Sequence, residues 1–224
     1  MYILAGPNGS GKSTILEKKI PKGIINLNAD KFSREIARER GIPEDEIQYA
    51  VNNNEALQIA GLRKLRTLMR KSVEQRNTFS TETTLDLNAY KDYIKDAKSN
   101  GFEVILLYVG TQSPKINIAR VSDRVIEGKH DVPPNKIVDR YYGSLDCLSG
   151  YISIVDKAQI YDNSKAGKEA RHIISIDHNR ITEINEPIPD WVNKSIINKL
   201  MNEEHKKAIE KGVSQEEISE SKTM

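Results

Sequence analysis

The sequence predicts an α/β fold in which a parallel sheet is covered by helices on both faces. Short apolar segments alternate with amphipathic segments over the first 110 residues, as in chains built from strand and helix units. A glycine-rich loop follows the first apolar segment directly. Residues 104–109 are almost uninterruptedly apolar, which is typical of a strand buried on both faces.

The first half of the chain supplies most of the predicted sheet. Hydrophobic periodicity and turn residues predict strands at residues 2–5, 24–28, 78–81 and 104–109. The predicted helices are 12–20, 30–40, 55–75 and a helix that Asp86 would cap and that runs to residue 99.

The second half predicts a helical insertion and a small hairpin. Prolines at 114 and 133–134 start two helices, 113–127 and 133–142, within a lid of about residues 113–145. A fifth strand is expected at 158–161, and strands 172–177 and 180–185 would form a small C-terminal β-hairpin. We expect one domain over 1–192 and a charged, helical or disordered tail over 193–224.

Composition excludes several classes of protein. The 224 residues contain 34 Lys plus Arg against 32 Asp plus Glu, so no basic field directs the protein to nucleic acid. The single cysteine, Cys147, cannot form an internal disulfide, and no Cys/His cluster predicts a zinc module. No apolar run approaches the roughly 20 residues of a membrane helix. We therefore expect a soluble, cytoplasmic protein that binds neither nucleic acid nor membrane.

The glycine-rich loop carries the clearest chemical signal. Residues 6–13 match G-x-x-x-x-G-K-[ST], with a strand before the motif and a helix after it. Such a loop turns its backbone N–H groups around phosphate, while Lys12 reaches the β/γ-phosphates and the Ser13 hydroxyl holds Mg²⁺. The sequence thus predicts a P-loop NTPase/kinase fold that binds ATP and Mg²⁺. The expected nucleotide-binding residues are Gly6, Pro7, Asn8, Gly9, Ser10, Gly11, Lys12, Ser13 and Thr14.

Two absences favour a small-molecule kinase over other phosphate-loop proteins. The Asn-Lys-x-Asp motif that reads guanine is missing, and no strand ends in the acidic pair of motor and transporter ATPases. The loop itself leaves open whether the phosphate acceptor is water, a protein or a small molecule.

Acidic residues follow the second and third predicted strands, at the sheet edge that also carries the phosphate loop. Asp30 is placed to accept the proton of an attacking hydroxyl, although it would equally well cap the helix that begins at Lys31. Glu82 would orient the acceptor or hold Mg²⁺ through water, and its alternative is a structural salt bridge.

The predicted lid supplies cations for the transferred phosphoryl group. Arg120 and Arg124 lie one helical turn apart on one face, and Lys129, His130 and Arg140 follow. Arginines on a closing lid neutralise developing charge and exclude water. The alternative is an ordinary solvated face, because acidic residues are interleaved with these cations.

These residues together resemble the zeta toxin family, in particular its shorter bacterial members. The resemblance rests on residues 5–14, Asn28-Ala29-Asp30, residues 79–85, Arg124-Val125 with residues 128–133, residues 161–164, and Pro189-Asp190-Trp191. It implies a P-loop kinase that transfers phosphate from ATP to the 3′-hydroxyl of the sugar in UDP-N-acetylglucosamine. It also implies a small helical antitoxin that blocks the nucleotide site.

The resemblance also assigns roles by position. It implies Asp30 as catalytic base, Glu82 as the acidic strand-end residue, Thr84 as a substrate contact and Arg124 as the lid arginine. A second lid arginine of the long toxins falls near His130. This chain lacks two arginines that short relatives carry, so substrate phosphate would depend on Arg140 and Arg63 instead.

We therefore expect an ATP/Mg²⁺-dependent phosphotransferase that acts on a hydroxyl of a nucleotide sugar. One alternative is a kinase of another small molecule, such as an antibiotic or a nucleotide cofactor. The other is an ATP-binding switch without catalysis, whose charged tail binds a partner.

Overall fold

The computed structural model describes residues 1–86, 88–126 and 132–201, and it confirms an α/β fold with a mostly parallel central sheet. The strands are β1 Tyr2–Ala5, β2 Ile25–Leu27, β3 Phe79–Thr83, β4 Ile105–Gly110, β5 Lys157–Asp162, β6 Arg171–Asp177 and β7 Arg180–Ile184. The helices are α1 Lys12–Lys19, α2 Ala29–Glu39, α3 Ile47–Asn53, α4 Glu55–Glu74, α5 Lys91–Ser99, α6 Pro114–Ile126, α7 Pro134–Ile152 and α8 Asp190–Val192.

The order of strands across the sheet places the site. The sheet runs β2-β3-β1-β4-β5-β6-β7, and its first five strands are parallel. Leu4 pairs with Glu82 and Ala5 with Thr83, so β1 and β3 end side by side. The loop after β1 and the acidic end of β3 therefore meet at one edge, where open α/β sheets bind ligands.

The predicted C-terminal hairpin is confirmed, and it extends the main sheet as two antiparallel strands beside β5. Its turn contains no glycine, but His178 and Asn179 adopt φ values of 45° and 65°. Two consecutive positive φ angles match the right-handed twist of hairpin strands, and asparagine is the best tolerated non-glycine residue there.

Alternation along the central strands builds two apolar layers. In β4, Leu106 and Tyr108 face the large core, while Leu107 and Val109 face a smaller cluster on the other side. Both layers are buried, which explains the continuous apolar run that the sequence shows at this strand.

The second lid helix ends ten residues later than predicted. The sequence suggests an end near Tyr142, yet α7 continues to Ile152. Its last turns carry Leu148, Tyr151 and Ile152, all fully buried in the main core. The helix therefore has a lid end near the phosphate loop and a core end, and core packing extends it past Gly143 and Gly150.

The predicted cap at Asp86 is wrong. The structure has a 3₁₀ turn at Asn88–Tyr90 before α5 begins at Lys91. Asp86 instead accepts a hydrogen bond from Thr84 Oγ1 at 2.5 Å and faces Arg140. A charged partner from α7 competes successfully with the local capping contact.

The end of the described chain packs against the sheet. Trp191 lies against Gly110 and donates its indole N–H to Asp162 Oδ1 at 2.8 Å. Past residue 192 the chain continues as a π-helical turn, Asn193–Ile197, and Ile196 is fully buried in the main core. None of the helices in the described part of the chain is long and apolar enough to cross a bilayer.

Close packing of α2 on α4 fixes the position of Asp30. A Cβ atom built on Gly61 of α4 would lie 2.1 Å from Ser33 Oγ and 2.6 Å from the Ala29 carbonyl oxygen. Only glycine allows this approach. Ala29 directly precedes Asp30, so the α2–α4 distance sets the position of that carboxylate.

Replacing Gly61 with alanine is expected to push α2 away and to lower the free energy of unfolding by about 1–3 kcal/mol. A matched control is Gly143→Ala in α7, where the new Cβ meets nothing closer than 3.4 Å. Helix propensity predicts that this control is neutral or stabilising. Urea unfolding of both variants checks the prediction, and equal midpoints for the two would contradict it.

Candidate active site

The loop between β1 and α1 has the shape of a phosphate cradle. Gly6, Gly9 and Gly11 adopt φ values of 136°, 76° and 91°, which side chains rarely allow. A Cβ atom at these positions would lie 2.1 Å from the Val109 carbonyl oxygen, 2.4 Å from that of Asn117 and 2.3 Å from Asn163 Nδ2, respectively. The motif glycines are thus required both by backbone conformation and by close packing.

Two side-chain amides hold the carbonyl groups of this loop. Asn117 Nδ2 of α6 donates to the Asn8 carbonyl oxygen at 2.6 Å, and Asn163 Nδ2 donates to that of Ser10 at 2.8 Å. Because these carbonyls are occupied from outside, the loop keeps its N–H groups available for an anion. Sequence reasoning assigned no role to either asparagine, although Asn163 belongs to one of the landmarks that carry the family resemblance.

Lys12 lies at the centre of the cradle. Its Nζ donates to the carbonyl oxygens of Gly6 at 2.5 Å and Pro7 at 3.0 Å. The pKa of Lys12 is lowered from 10.5 to about 8, mainly by burial and in part by the positive charges of Arg124 and Arg140, while Glu82 and Asp30 oppose the shift. This excess of positive charge suits a bound polyphosphate. Thr14, the last predicted loop residue, is exposed in the first turn of α1.

The predicted lid arginines carry nitrogen atoms that have no partner. Arg120 Nη1 and Arg124 Nε are buried, and neither has a hydrogen-bond acceptor within the described ranges. Leaving a charged donor buried and unpaired costs free energy, so these nitrogens are suited to an anionic ligand. Arg124 lies close enough to Lys12 to lower the pKa of that lysine. This proximity suits two cations that bind the same phosphate group.

Ser13 and Glu82 form an oxygen-rich corner at the entrance of the cradle. Ser13 Oγ donates to Glu82 Oε2 at 3.4 Å, and Asn26 Nδ2 donates to Glu82 Oε1 at 3.2 Å. Hydroxyl and carboxylate oxygens are the ligands that Mg²⁺ prefers, together with phosphate oxygens and water. No group of three or more His, Cys, Asp or Glu residues able to hold a metal occurs among the described residues.

A cavity of about 450 Å³ adjoins the cradle, and four predicted acceptor residues line it. These are Asp30, Glu82, Thr84 and Arg140. Asn8 of the phosphate loop also lines it, so the donor cradle and this cavity share a wall. The remaining wall is mixed. Its apolar and aromatic part contains Ala29, Val51, Leu62, Leu65, Met69, Tyr90, Tyr93, Val132 and Pro133, and its polar part contains Ser33, Asn52, Gln58, Arg66, Thr83, Asp86 and Lys136.

The structure places one predicted substrate contact, Arg63, off the cavity, and it does not test another, His130. Arg63 is exposed and does not line the cavity, whereas Arg66, three residues later on α4, does. The face of α4 that meets the cavity contains Gln58, Leu62 and Arg66, which recur at helical spacing. His130 lies outside the described residues, so its predicted contact remains a prediction.

Asp30 is not the side chain that caps α2. The cap is Asn28, whose Oδ1 accepts from the Lys31 backbone N–H at 3.1 Å. Asp30 lies in the first turn with its side chain on the cavity. Asn28, and not Asp30, is therefore the helix cap, so the alternative role for Asp30 is excluded.

Arg140 connects the donor and acceptor sides. Its Nη1 donates to Asn8 Oδ1 at 3.1 Å, and its Nε lies 3.8 Å from Asp86 Oδ2. Asp86 in turn accepts from Thr84 at 2.5 Å. A line of polar contacts therefore runs from the phosphate loop to the far wall of the cavity.

Comparison with protein families agrees with this arrangement. The family model described as Zeta toxin matches residues 1–168. The chain belongs to the zeta toxin family. An uncharacterized protein of Haemophilus influenzae is 33% identical over 138 residues, which cover 61% of this chain and 88% of that protein.

Solved structures with the same fold include two of one protein complex and one of a toxin-antitoxin system. The AvrRxo1-ORF1:AvrRxo1-ORF2 complex matches with TM-scores of 0.67 with sulphate ions and 0.64 with ATP, at 16% identity. These matches cover 87% and 82% of this chain, and the chain spans about three fifths of the matched one, 62% and 60%. A structure of the PezAT toxin-antitoxin system of Streptococcus pneumoniae matches with TM-score 0.61 and 18% identity, over 94% of this chain and 86% of that one. At these identities the likeness concerns the fold, that of a zeta-toxin-like P-loop kinase.

Lys12→Met is expected to stabilise the nucleotide-free protein by about 1–3 kcal/mol at pH 7, because it removes a buried charge. The folded pKa of about 8 lies below the ordinary 10.5, so the folded state holds fewer protons between these values. The cost of the wild-type lysine is therefore complete below pH 8 and is relieved as the pH rises toward 10.5. Urea unfolding at pH 7 and 9.5 checks this.

The control for that measurement is Lys18→Met, which removes an exposed lysine from the same helix. Its effect on stability should stay within about 0.5 kcal/mol. If Lys12→Met is no more stable than this control at pH 7, the lysine is not held at a cost.

Asn163→Ala is expected to raise the Kd for ATP by about 5- to 20-fold, because the Ser10 carbonyl loses its donor and the loop is less ordered. Asn100→Ala is the matched control, since it also removes an amide-to-carbonyl hydrogen bond, to Asp96 at 2.9 Å, beyond the opposite edge of the sheet. Calorimetric titration with ATP distinguishes the two. Equal ATP affinity in both variants would show that Asn163 does not organise the loop.

Proposed function

We propose that this zeta toxin family member transfers the γ-phosphate of ATP to a hydroxyl of a nucleotide sugar resembling UDP-N-acetylglucosamine. The observation that carries this proposal is the shared wall between cradle and cavity. Asn8, Asp30 and Glu82 line the same cavity, so an acceptor placed there lies beside the transferred phosphate.

The donor side binds ATP by its polyphosphate. The loop N–H groups, the start of α1 and Lys12 supply positive charge to the phosphates. Arg120 and Arg124 reach the γ-phosphate with the nitrogens that lack protein partners. Their role is to stabilise the charge that develops on the phosphoryl oxygens during transfer.

The acceptor side supplies a base and an orienting carboxylate. Asp30 accepts the proton of the attacking hydroxyl, and Thr84 and Arg140 orient the acceptor. Glu82 is held by Ser13 and Asn26, which keeps its carboxylate at the boundary between the two ligands. Ser13 and Glu82 would hold Mg²⁺ here, and the ion would supply positive charge to the phosphates of the donor.

Two further elements of the proposal rest on the family and on the relatives. Membership of the zeta toxin family supports a nucleotide-sugar acceptor and a toxic outcome. PezAT is a toxin-antitoxin system, and from that likeness we propose an antitoxin partner for this chain. Such a partner would act by blocking access to the nucleotide site.

The test of function is a substrate panel. Purified protein is incubated with ATP, Mg²⁺ and nucleotide sugars, nucleotide cofactors, free sugars and aminoglycosides, and mass spectrometry identifies products heavier by one phosphate. A phosphorylated UDP-N-acetylhexosamine supports the proposal. Transfer to another class identifies a different small-molecule kinase, and tight ATP binding without any product favours a non-catalytic switch.

Asp30→Asn is expected to reduce kcat by 10²- to 10⁴-fold and to leave the Kd for ATP unchanged, because only the proton acceptor is lost. Asp92→Asn is the matched control, since Asp92 is an exposed first-turn residue of α5 away from the cavity. Initial rates and ATP titrations of both variants check the prediction. Unchanged turnover in Asp30→Asn would remove Asp30 from the mechanism.

A further inference from the structure

Two cations in the acceptor cavity have no part in the proposed mechanism. Arg66 comes from the middle of α4, and Lys136 comes from the first turn of α7. Both side chains line the cavity, on walls formed by different helices. They differ from the lid arginines and Lys12, which belong to the donor side.

Two of the three carboxylates that line the cavity make polar contacts with other side chains, as does Arg140. Glu82 accepts hydrogen bonds from Ser13 and Asn26, and Asp86 accepts from Thr84 and faces Arg140. Asp30 is the proton acceptor of the proposed mechanism. Arg66 and Lys136, by contrast, have no ion-pair or hydrogen-bond partner in the part of the chain that the structure describes.

Arg66 lies beside the aromatic wall. Its positive charge acts on the Tyr90 hydroxyl, whose pKa is raised mainly by burial and is lowered in part by Arg66. The Tyr90 hydroxyl donates to the Glu82 carbonyl oxygen at 3.4 Å, so Arg66 is near the end of β3. Around it the wall is apolar, with Leu65 and Met69 on the same helix. Arg66 itself is exposed, as is Lys136.

Lys136 lies where α7 begins. Val132 and Pro133, which immediately precede this helix, also line the cavity, and the N-cap Pro133 supplies no side-chain cap to the first turn. The positive end of the helix adds to the charge of Lys136. Arg140 lies one turn further along α7 and is already bound to Asn8.

From these contacts we infer that Arg66 and Lys136 form an anion subsite, which selects acceptors that carry a phosphate or diphosphate group. The inference rests on the proposed function and deepens it, because it assigns the residues that choose the acceptor. Positive charges on two walls of the cavity disfavour polycationic aminoglycosides, and neutral sugars make no ionic contact with them. The acceptor's anion is bound opposite the donor cradle, and its hydroxyl is left near Asp30.

The chain offers a close control for Arg66. Arg63 belongs to the same helix, has the same side chain and is exposed as Arg66 is, but it does not line the cavity. Arg66→Gln and Arg63→Gln therefore remove the same charge at nearly the same distance along α4. Only the first removes it from the cavity.

The first experiment measures binding without catalysis. The donor site is saturated with Mg²⁺ and a non-hydrolysable ATP analogue, and UDP and inorganic pyrophosphate are titrated by calorimetry. Arg66→Gln and Lys136→Gln should each weaken binding by about 10- to 100-fold, the effect of losing a charged hydrogen-bond partner. Arg63→Gln should bind as the wild type does. Binding should also weaken as the salt concentration rises.

Two results would overturn the inference. One is the absence of UDP and pyrophosphate binding to the saturated protein. The other is binding that Arg63→Gln weakens as much as Arg66→Gln. If the ATP analogue does not bind, the same titrations of UDP and pyrophosphate are made on the Lys12→Met variant. Its donor site has lost the phosphate-binding lysine, so binding there reports on the acceptor cavity.

A second experiment separates this inference from the proposed function. With an accepted nucleotide sugar, Arg66→Gln should raise the KM for the acceptor by about 10- to 100-fold, with kcat and the KM for ATP unchanged. If UDP binds through Arg66 and Lys136 but no acceptor gains phosphate, the subsite is correct and the proposed function is wrong. If neutral or cationic acceptors are phosphorylated as well as anionic ones, phosphotransfer is correct and the subsite is wrong.

Discussion

The fixed conformation of the phosphate loop is the constraint on which the rest of the site depends. Its backbone turns at three glycines in conformations that side chains rarely adopt, and its outward carbonyls are held by amides from two distant elements. Asn117 comes from the lid helix α6 and Asn163 from the end of β5. The loop is therefore tied to the lid on one side and to the sheet on the other, and its conformation does not depend on the ligand alone.

The same loop explains how charge is distributed in the molecule. Lys12 is buried at a cost, and the arginines that approach it add to that cost in the absence of an anion. Arg120 and Arg124 also carry buried nitrogen donors that have no hydrogen-bond acceptor among the described residues. A bound polyphosphate would give all of these groups an anionic partner, which favours nucleotide binding. The acceptor cavity has its own, separate pair of cations.

Packing of α4 on α2 fixes the positions of the acceptor residues, just as the phosphate loop fixes the positions of the donor residues. Gly61 lets α4 approach α2 so closely that backbone and side-chain atoms of α2 meet the helix surface. This contact positions Asp30, and it also fixes the rotation of α4, which places Arg66 on the cavity wall and leaves Arg63 off it. Arg140 then joins the two sides through Asn8 and Asp86.

The sequence by itself determined the fold class, the phosphate loop, the edge of the sheet that carries Asp30 and Glu82, and the family. These features depend on local spacing, on alternation along strands, and on a motif whose residue types are required by the backbone. Tertiary structure decided what depends on distant elements: the length of α7, the partners of Asp86, the amides on the loop carbonyls, and the choice of Arg66 over Arg63. The charge of the two arginines does not tell which of them lines the cavity. That depends on the rotation of α4, which is set by the surface that the helix packs on.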